Sequence, residues 1–210
     1  MSPRWGSTPR AKLGGALRPG LPARYLVIHD TSTPNCSVRG AAMCDEWGAF
    51  PADLDGGWRG NASFDDFLPA PATLKGHVLT NRTGGSLTAR DFAEHVSHVR
   101  FDYCFDADAK VNLFVSVENI QPRLGDPARP EGVANDPIAP VPGFTPAQYR
   151  RLALVYIAAS ARAGRWLIPA YRAVLDRLYD PPTAHDDPQH FDMAAFSAAL
   201  TAQIAAIRRA

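Results

Sequence analysis

Hydrophobic positions form short runs in the first half of the chain and follow helical spacing in the last third. Residues 24–28 are an apolar run between Pro22 and polar residues, which predicts a short buried strand. Residues 76–82 predict a second strand. The Gly-Gly pair that follows predicts a turn into residues 86–89, and so a hairpin.

A third strand is predicted over residues 111–120, where apolar side chains alternate. One face carries Val111, Leu113, Val115 and Val117, and the other carries Phe114 and Glu118. A carboxylate inside such a strand is costly unless it has a partner or a task, and burial raises a carboxyl pKa toward the range of a general base. Glu118 is therefore a candidate base, and the alternative is a strand-edge glutamate that faces solvent.

Three helices are predicted in the last third of the chain. Thr145 is a helix N-cap candidate with Pro146 at the first helical position, and Gly164 should end this helix. Residues 170–179 and 193–207 predict two more helices. The buried face of the first helix should carry Leu152, Val155, Tyr156 and Ala159. Strands mixed with helices, without an internal repeat, predict an α/β fold with a central sheet.

Length and charge narrow the possible classes of function. The 210 residues suit one domain, and 22 basic against 21 acidic residues give no electrostatic indication of a nucleic-acid or anionic-membrane partner. No apolar run approaches the roughly 20 residues that span a bilayer. Residues 1–22 are basic and rich in Gly and Pro without the apolar core of a secretory signal, so we expect a flexible extension before a domain over residues 23–210.

The three cysteines, Cys36, Cys44 and Cys104, are odd in number, which argues against a pure disulfide framework. Cys36 and Cys44 are close enough in sequence to close a small loop, and this pairing stays open. No C-x-x-C spacing is present, so these thiols are poor zinc candidates. A cysteine hydrolase remains a third hypothesis, although nothing near these residues indicates an activated thiol.

Two distant segments offer a metal-ligand set. His29 follows the first predicted strand, and His185 and Asp187 are two positions apart just before Pro188. In extended chain such positions project to one side, so both could face one metal. Two nitrogen donors and one oxygen donor suit a catalytic zinc with a coordination position left for water. The alternatives are a core histidine at 29 and a solvated acidic turn near 187.

In four segments the chain resembles the zinc-dependent N-acetylmuramoyl-L-alanine amidases, the amidase-2 or peptidoglycan-recognition-protein family. The segments occur in the family's order: residues 26–32 (LVIHDTS), 76–84 (GHVLTNRTG), 115–118 (VSVE) and 185–192 (HDDPQHFD). The resemblance covers roughly residues 24–200. It implies a single domain with a central mixed β-sheet flanked by helices.

The resemblance implies hydrolysis of the amide between N-acetylmuramic acid and L-alanine of the stem peptide, with Zn²⁺ as cofactor. Transferred by position, His29 and Asp187 would be zinc ligands and Glu118 the base that acts on the zinc-bound water. His185 would stabilise the oxyanion. The residues expected to bind substrate are His77, Asp30 and Arg172.

The chain departs from the family at the second histidine ligand, because no histidine lies between His98 and His185 and Arg172 stands near the expected place. Either His185 doubles as a ligand, or fewer side chains hold the metal, or none is held. A fixed positive charge at 172 opposes a metal ion. The second hypothesis is therefore a peptidoglycan-binding module of the same fold that does not cut.

The implied partner is peptidoglycan or a muropeptide, with no nucleic acid and no membrane insertion. We expect action in the periplasm or at a cell envelope. Because no classical signal is seen, delivery by a secretion system, with a possible immunity partner, fits as well as cytoplasmic muropeptide recycling.

Overall fold

The structure is a computed structural model that describes residues 21–32, 64, 76–96, 113–123, 139, 143–177 and 185–210. Within these ranges the strands are β1 (Tyr25–Asp30), β2 (Val78–Thr80), β3 (Ser86–Thr88), β4 (Phe114–Asn119) and β5 (Ile168–Tyr171). The helices are α1 (Pro146–Ala163), α2 (Arg172–Arg177) and α3 (Met193–Arg209). Residues 1–20 and the three cysteines lie outside the described part, as do the predictions made for them.

The strands form one sheet in the order β3-β2-β4-β1-β5. Strands β2, β4, β1 and β5 run parallel, and β3 pairs antiparallel with β2, so the sheet is mixed and the predicted hairpin is confirmed. In the central pair, His29 of β1 lies opposite Glu118 of β4. The predicted fold class, a mixed sheet flanked by helices, is confirmed.

Helices cover both faces of the sheet. On one face, α1 packs on the sheet and α3 packs on α1, and the core of this face includes Leu26, Ile28, Val115 and Val117 of the central strands. On the other face, Leu175 of α2 packs on Val27 and Phe114. Burying each such side chain contributes about 1.5–3 kcal/mol, so these two layers hold the strand ends in place.

Local sequence fixes both ends of α1 as predicted. The Thr145 side chain accepts a hydrogen bond from the Gln148 backbone, and the Gln148 side chain accepts one from the Thr145 backbone, which is a capping box. Gly164 ends the helix in the left-handed region at φ 65°. The predicted inner face is confirmed, since Leu152, Val155, Tyr156 and Ala159 are all buried.

The predicted boundaries differ from the observed ones at β5 and at the end of β1. Residues 168–171 form the edge strand β5, where a helix was predicted from residue 170. Pairing with β1 decides the conformation of this four-residue segment, and an edge strand tolerates Pro169. Strand β1 also continues through His29 and Asp30, because β4 continues beside it to Asn119.

No helix in the described ranges is long and apolar enough to cross a membrane.

Candidate functional site

Polar side chains gather where the parallel strands β1 and β4 end. His29 is fully buried, and its register partner Glu118 is half-buried on the same side of the sheet. Asp187, from the segment that precedes α3, places its Oδ2 atom 3.4 Å from His29 Nδ1. The structure thus brings together three of the predicted site residues from three distant parts of the chain.

A buried ion pair lies beside this group. Arg123 is fully buried, and its Nη2 atom lies 2.6 Å from Oδ1 of Asp30 and 3.8 Å from Oδ1 of Asp186. The backbone N–H groups of Ser32 and Gln189 also donate to Asp30. Burial raises the pKa of Asp30 to about 6, although the charge and hydrogen bond of Arg123 act in the opposite direction.

Arg172, the first residue of α2, contacts two carboxylates and one imidazole. Its Nε lies 3.4 Å from Asp176 Oδ2, its Nη1 lies 3.6 Å from Asp187 Oδ1, and its Nη2 lies 2.6 Å from His185 Nε2. A guanidinium has no acceptor atom, so His185 Nε2 must accept this hydrogen bond with its lone pair. The 3.9 Å between His185 Nε2 and Asp176 Oδ2 is too long for a competing hydrogen bond.

These contacts form one cluster, which we call the charged edge. Its members are the carboxylates Asp30, Asp176, Asp186 and Asp187, the guanidiniums of Arg123 and Arg172, and the imidazoles of His29 and His185. Four carboxylates therefore face two guanidiniums. Burial raises the pKa of Asp186, and the negative charge of Asp187 adds to that effect.

Side-chain hydrogen bonds fix the backbone under the charged edge. Asn119 donates to the carbonyl oxygen of His29 at 2.7 Å, and Thr80 donates to the Asn119 side chain at 2.6 Å. Gln148 of α1 donates to the carbonyl oxygen of Ile120 at 2.9 Å. The ends of three strands and one helix are thus held together, so His29 is presented from a rigid support.

The predicted zinc ligands do not combine into a metal site in this arrangement. Among the described residues, no group of three His, Cys, Asp or Glu side chains is placed to hold a metal ion. The lone pair of His185 Nε2 binds Arg172, and the same guanidinium lies 3.6 Å from Asp187. Catalytic zinc needs three protein ligands and an open position, so the residues present do not fit this ion.

His77, predicted to bind substrate, lies away from the charged edge. It is fully buried just before β2, where its Nδ1 accepts from the Ser116 backbone N–H and its Nε2 lies 3.0 Å from the Glu94 carbonyl oxygen. Both ring nitrogens are bonded to the backbone, so the ring has no polar atom left to offer a substrate. Of the other two predicted binders, Arg172 is partly exposed and Asp30 is buried against Arg123.

Sequence reasoning missed Arg123, Asp176 and Asn119. Asn119 is the last residue of β4, and a polar residue at the end of a parallel strand is a site signal. Nothing in the local sequence distinguishes Arg123 from the other arginines of the chain. Asp176 lies four residues after Arg172, a spacing that brings opposite charges together only on a helix.

No family model matches the chain, and no curated protein matches it. Among solved structures, the crystal structure of a selenomethionine AmpD derivative is similar, with a TM-score of 0.45 and 18% sequence identity. The similarity covers 89% of this chain and 87% of that chain. It is too distant to assign a family or an activity to this chain.

Proposed function

We propose that this chain binds the muramoyl-peptide part of peptidoglycan at the charged edge, as a domain of amidase type that does not depend on zinc. Support comes from the four segments that resemble the amidase family and from their positions in the fold. Three of these segments contribute His29, Glu118 and Asp187 to a single end of the sheet.

The observation that carries the proposal is the contact between His29 and Asp187, at 3.4 Å between Nδ1 and Oδ2. The two residues come from opposite ends of the chain, and both are buried. A fold that only needed a core would fill this place with apolar side chains, since buried charge is costly. Costly polar groups gathered from distant segments are typical of a binding or catalytic site.

Arg172 favours binding over zinc-dependent hydrolysis. Its guanidinium is bonded to His185 and lies against Asp187, the two residues expected to act with the metal beside His29. Guanidinium groups recognise carboxylates well, because their planar fork matches both oxygens. Arg172 is partly exposed, so we expect it to contact a carboxylate of the stem peptide.

Hydrolysis of the amide between N-acetylmuramic acid and L-alanine is the second candidate. The observation that favours it is the register pairing of Glu118 with His29, which places a half-buried carboxylate beside the imidazole. In this case Glu118 would accept a proton from the attacking water. The ligand would be the same as in the first candidate. Both candidate functions are compatible with a ligand at the cell envelope and with a muropeptide in cytoplasmic recycling.

The two candidates can be separated in one experiment. The full chain is incubated with purified peptidoglycan and with a soluble N-acetylmuramoyl-L-alanyl peptide, binding is measured by calorimetry, and released stem peptide is measured by mass spectrometry. Binding without release of stem peptide supports the proposal, and release of stem peptide establishes the hydrolase. If the protein shows no binding and no release, both candidates are contradicted.

His29→Ala tests whether the charged edge is the binding site. We expect this variant to bind the soluble peptide at least about tenfold more weakly, which is 1.4 kcal/mol. His95→Ala is the matched control, because His95 is exposed and lies outside the charged edge. Equal loss in both variants, or no loss in His29→Ala, would place the ligand elsewhere.

A further inference from the structure

The contacts of Arg172 carry an inference that does not depend on which ligand the protein binds. Nη2 donates to His185 Nε2 at 2.6 Å, Nη1 lies 3.6 Å from Asp187 and Nε lies 3.4 Å from Asp176. We propose that the Arg172 guanidinium takes the place of a metal ion in the charged edge, and that replacing it by histidine converts this cluster into a zinc site.

The first reason is the atoms that Arg172 engages. An imidazole binds a metal through an unprotonated ring nitrogen. On His185 the Nε2 nitrogen must be unprotonated, since it accepts from a guanidinium that can only donate. The sequence predicted that His185 and Asp187 could face one metal ion. In the structure both lie against the Arg172 guanidinium.

The second reason is charge. Asp176 and Asp187 together carry two negative charges and are almost fully buried, while Arg172 supplies one positive charge. Buried carboxylates need a cation nearby. If the guanidinium is removed, its position is vacated and the two carboxylates lose their positive partner. A divalent ion would balance both carboxylates, so loss of Arg172 should increase the affinity for a metal ion.

The third reason is the fixed position of residue 172. The backbone N–H of Ala173 donates to the carbonyl oxygen of Asp187 at 2.9 Å, which joins the start of α2 to the segment that carries Asp187. Leu175 anchors α2 on the sheet. A histidine at 172 would therefore start from the same backbone position and point a shorter donor at the same cluster.

The test is a zinc titration of the wild type, Arg172→His and Arg172→Gln, by competition with a chromophoric chelator and by metal analysis after desalting. Arg177→His is the matched control, because it adds a histidine at an exposed position of the same helix. We expect Arg172→His to bind one zinc per chain at least about a hundredfold more tightly than wild type or Arg177→His. Arg172→Gln, which removes the charge without adding a ligand, should bind more tightly than wild type and less tightly than Arg172→His.

Two outcomes would overturn the inference. One is a wild type that already binds one zinc per chain and loses it in Asp187→Ala, because the guanidinium would then not hold the metal's place. The other is an Arg172→His protein that is folded by circular dichroism yet binds no more zinc than Arg177→His. If Arg172→His does not fold, the zinc affinities of the wild type and Arg172→Gln still test the inference. Arg172→Gln must then bind zinc more tightly than the wild type. The readout involves no peptidoglycan, so the inference and the proposed function can fail separately.

Discussion

Two histidines are fully buried in different surroundings, His29 in strand β1 and His77 directly before strand β2. The ring of His77 is bonded on both sides to backbone groups, the N–H of Ser116 and the carbonyl oxygen of Glu94. The ring of His29 faces the carboxylate of Asp187 in the charged edge. Burial alone therefore does not distinguish a histidine that stabilises the fold from a histidine of the candidate site. The partners of the ring distinguish them, because backbone partners join neighbouring segments and charged partners are costly to bury.

The charged edge should not tolerate the loss of one charge. Arg123→Met leaves Asp30 buried without its guanidinium partner, and we expect a loss of about 3–5 kcal/mol in the free energy of unfolding. Urea denaturation followed by circular dichroism measures this loss. It is the largest effect that we expect.

The double variant Asp30→Asn/Arg123→Met removes both charges. The asparagine has one acceptor oxygen, so it can keep one of the two backbone bonds that the Ser32 and Gln189 N–H groups make to different oxygens of Asp30. We expect the double variant to recover about 1–3 kcal/mol relative to the sum of the single variants. If the effects of the single variants add up, the two side chains are not energetically coupled. The stability of the charged edge would then not depend on pairing between charges.

At the other histidine, His77→Ala should destabilise the fold by about 2–4 kcal/mol, because it leaves a cavity and removes the partner of a buried backbone N–H. Peptide binding by the protein that remains folded should be unchanged. Urea denaturation and calorimetry measure the two properties, and exposed His95→Ala again serves as the control. A loss of binding with little loss of stability would assign His77 to the site after all.

The pH dependence of stability should distinguish Asp30 from an ordinary ion-paired carboxylate. Its pKa in the folded state is raised to about 6 from the usual 3.8, chiefly by burial. Its contribution to stability is therefore fully present below pH 3.8 and is lost as the pH rises through about 6. We expect the wild type to lose stability relative to Asp30→Asn over this window, measured as thermal unfolding of both proteins. The opposite slope would mean that Arg123 outweighs burial.

The fold could be predicted from the sequence wherever a local signal exists. The N-cap Thr145, the end at Gly164 and the hairpin between β2 and β3 all depend on residues close in sequence, and all are found in the structure. Strand β5 was missed because its conformation comes from pairing with β1 rather than from its own four residues.

For the candidate site, sequence reasoning identified His29, Glu118, His185 and Asp187, which lie at or beside strand ends or next to a proline. It could not show that the Arg172 side chain reaches both His185 and Asp187, since that depends on where α2 begins against a distant segment. Arg123 was missed for the same reason, because its partners Asp30 and Asp186 come from opposite ends of the chain.

A second ion pair, between Asp91 and Arg162, has the smallest expected effect on stability and a pH dependence opposite to that of Asp30. Asp91 lies 2.9 Å from Arg162 of α1 but is 41% exposed. Burial is the largest single cause and raises its pKa, but the Ala93 N–H and Arg162 together outweigh burial, so its pKa is lowered from 3.8. Its contribution should be present above pH 3.8 and disappear as the pH falls, the reverse of Asp30. We expect Asp91→Asn to cost less than about 1 kcal/mol at pH 7 and nothing near pH 2 by urea denaturation. A larger cost would mean that this pair is as strongly coupled as Arg123 and Asp30, and exposure would then not explain the difference between them.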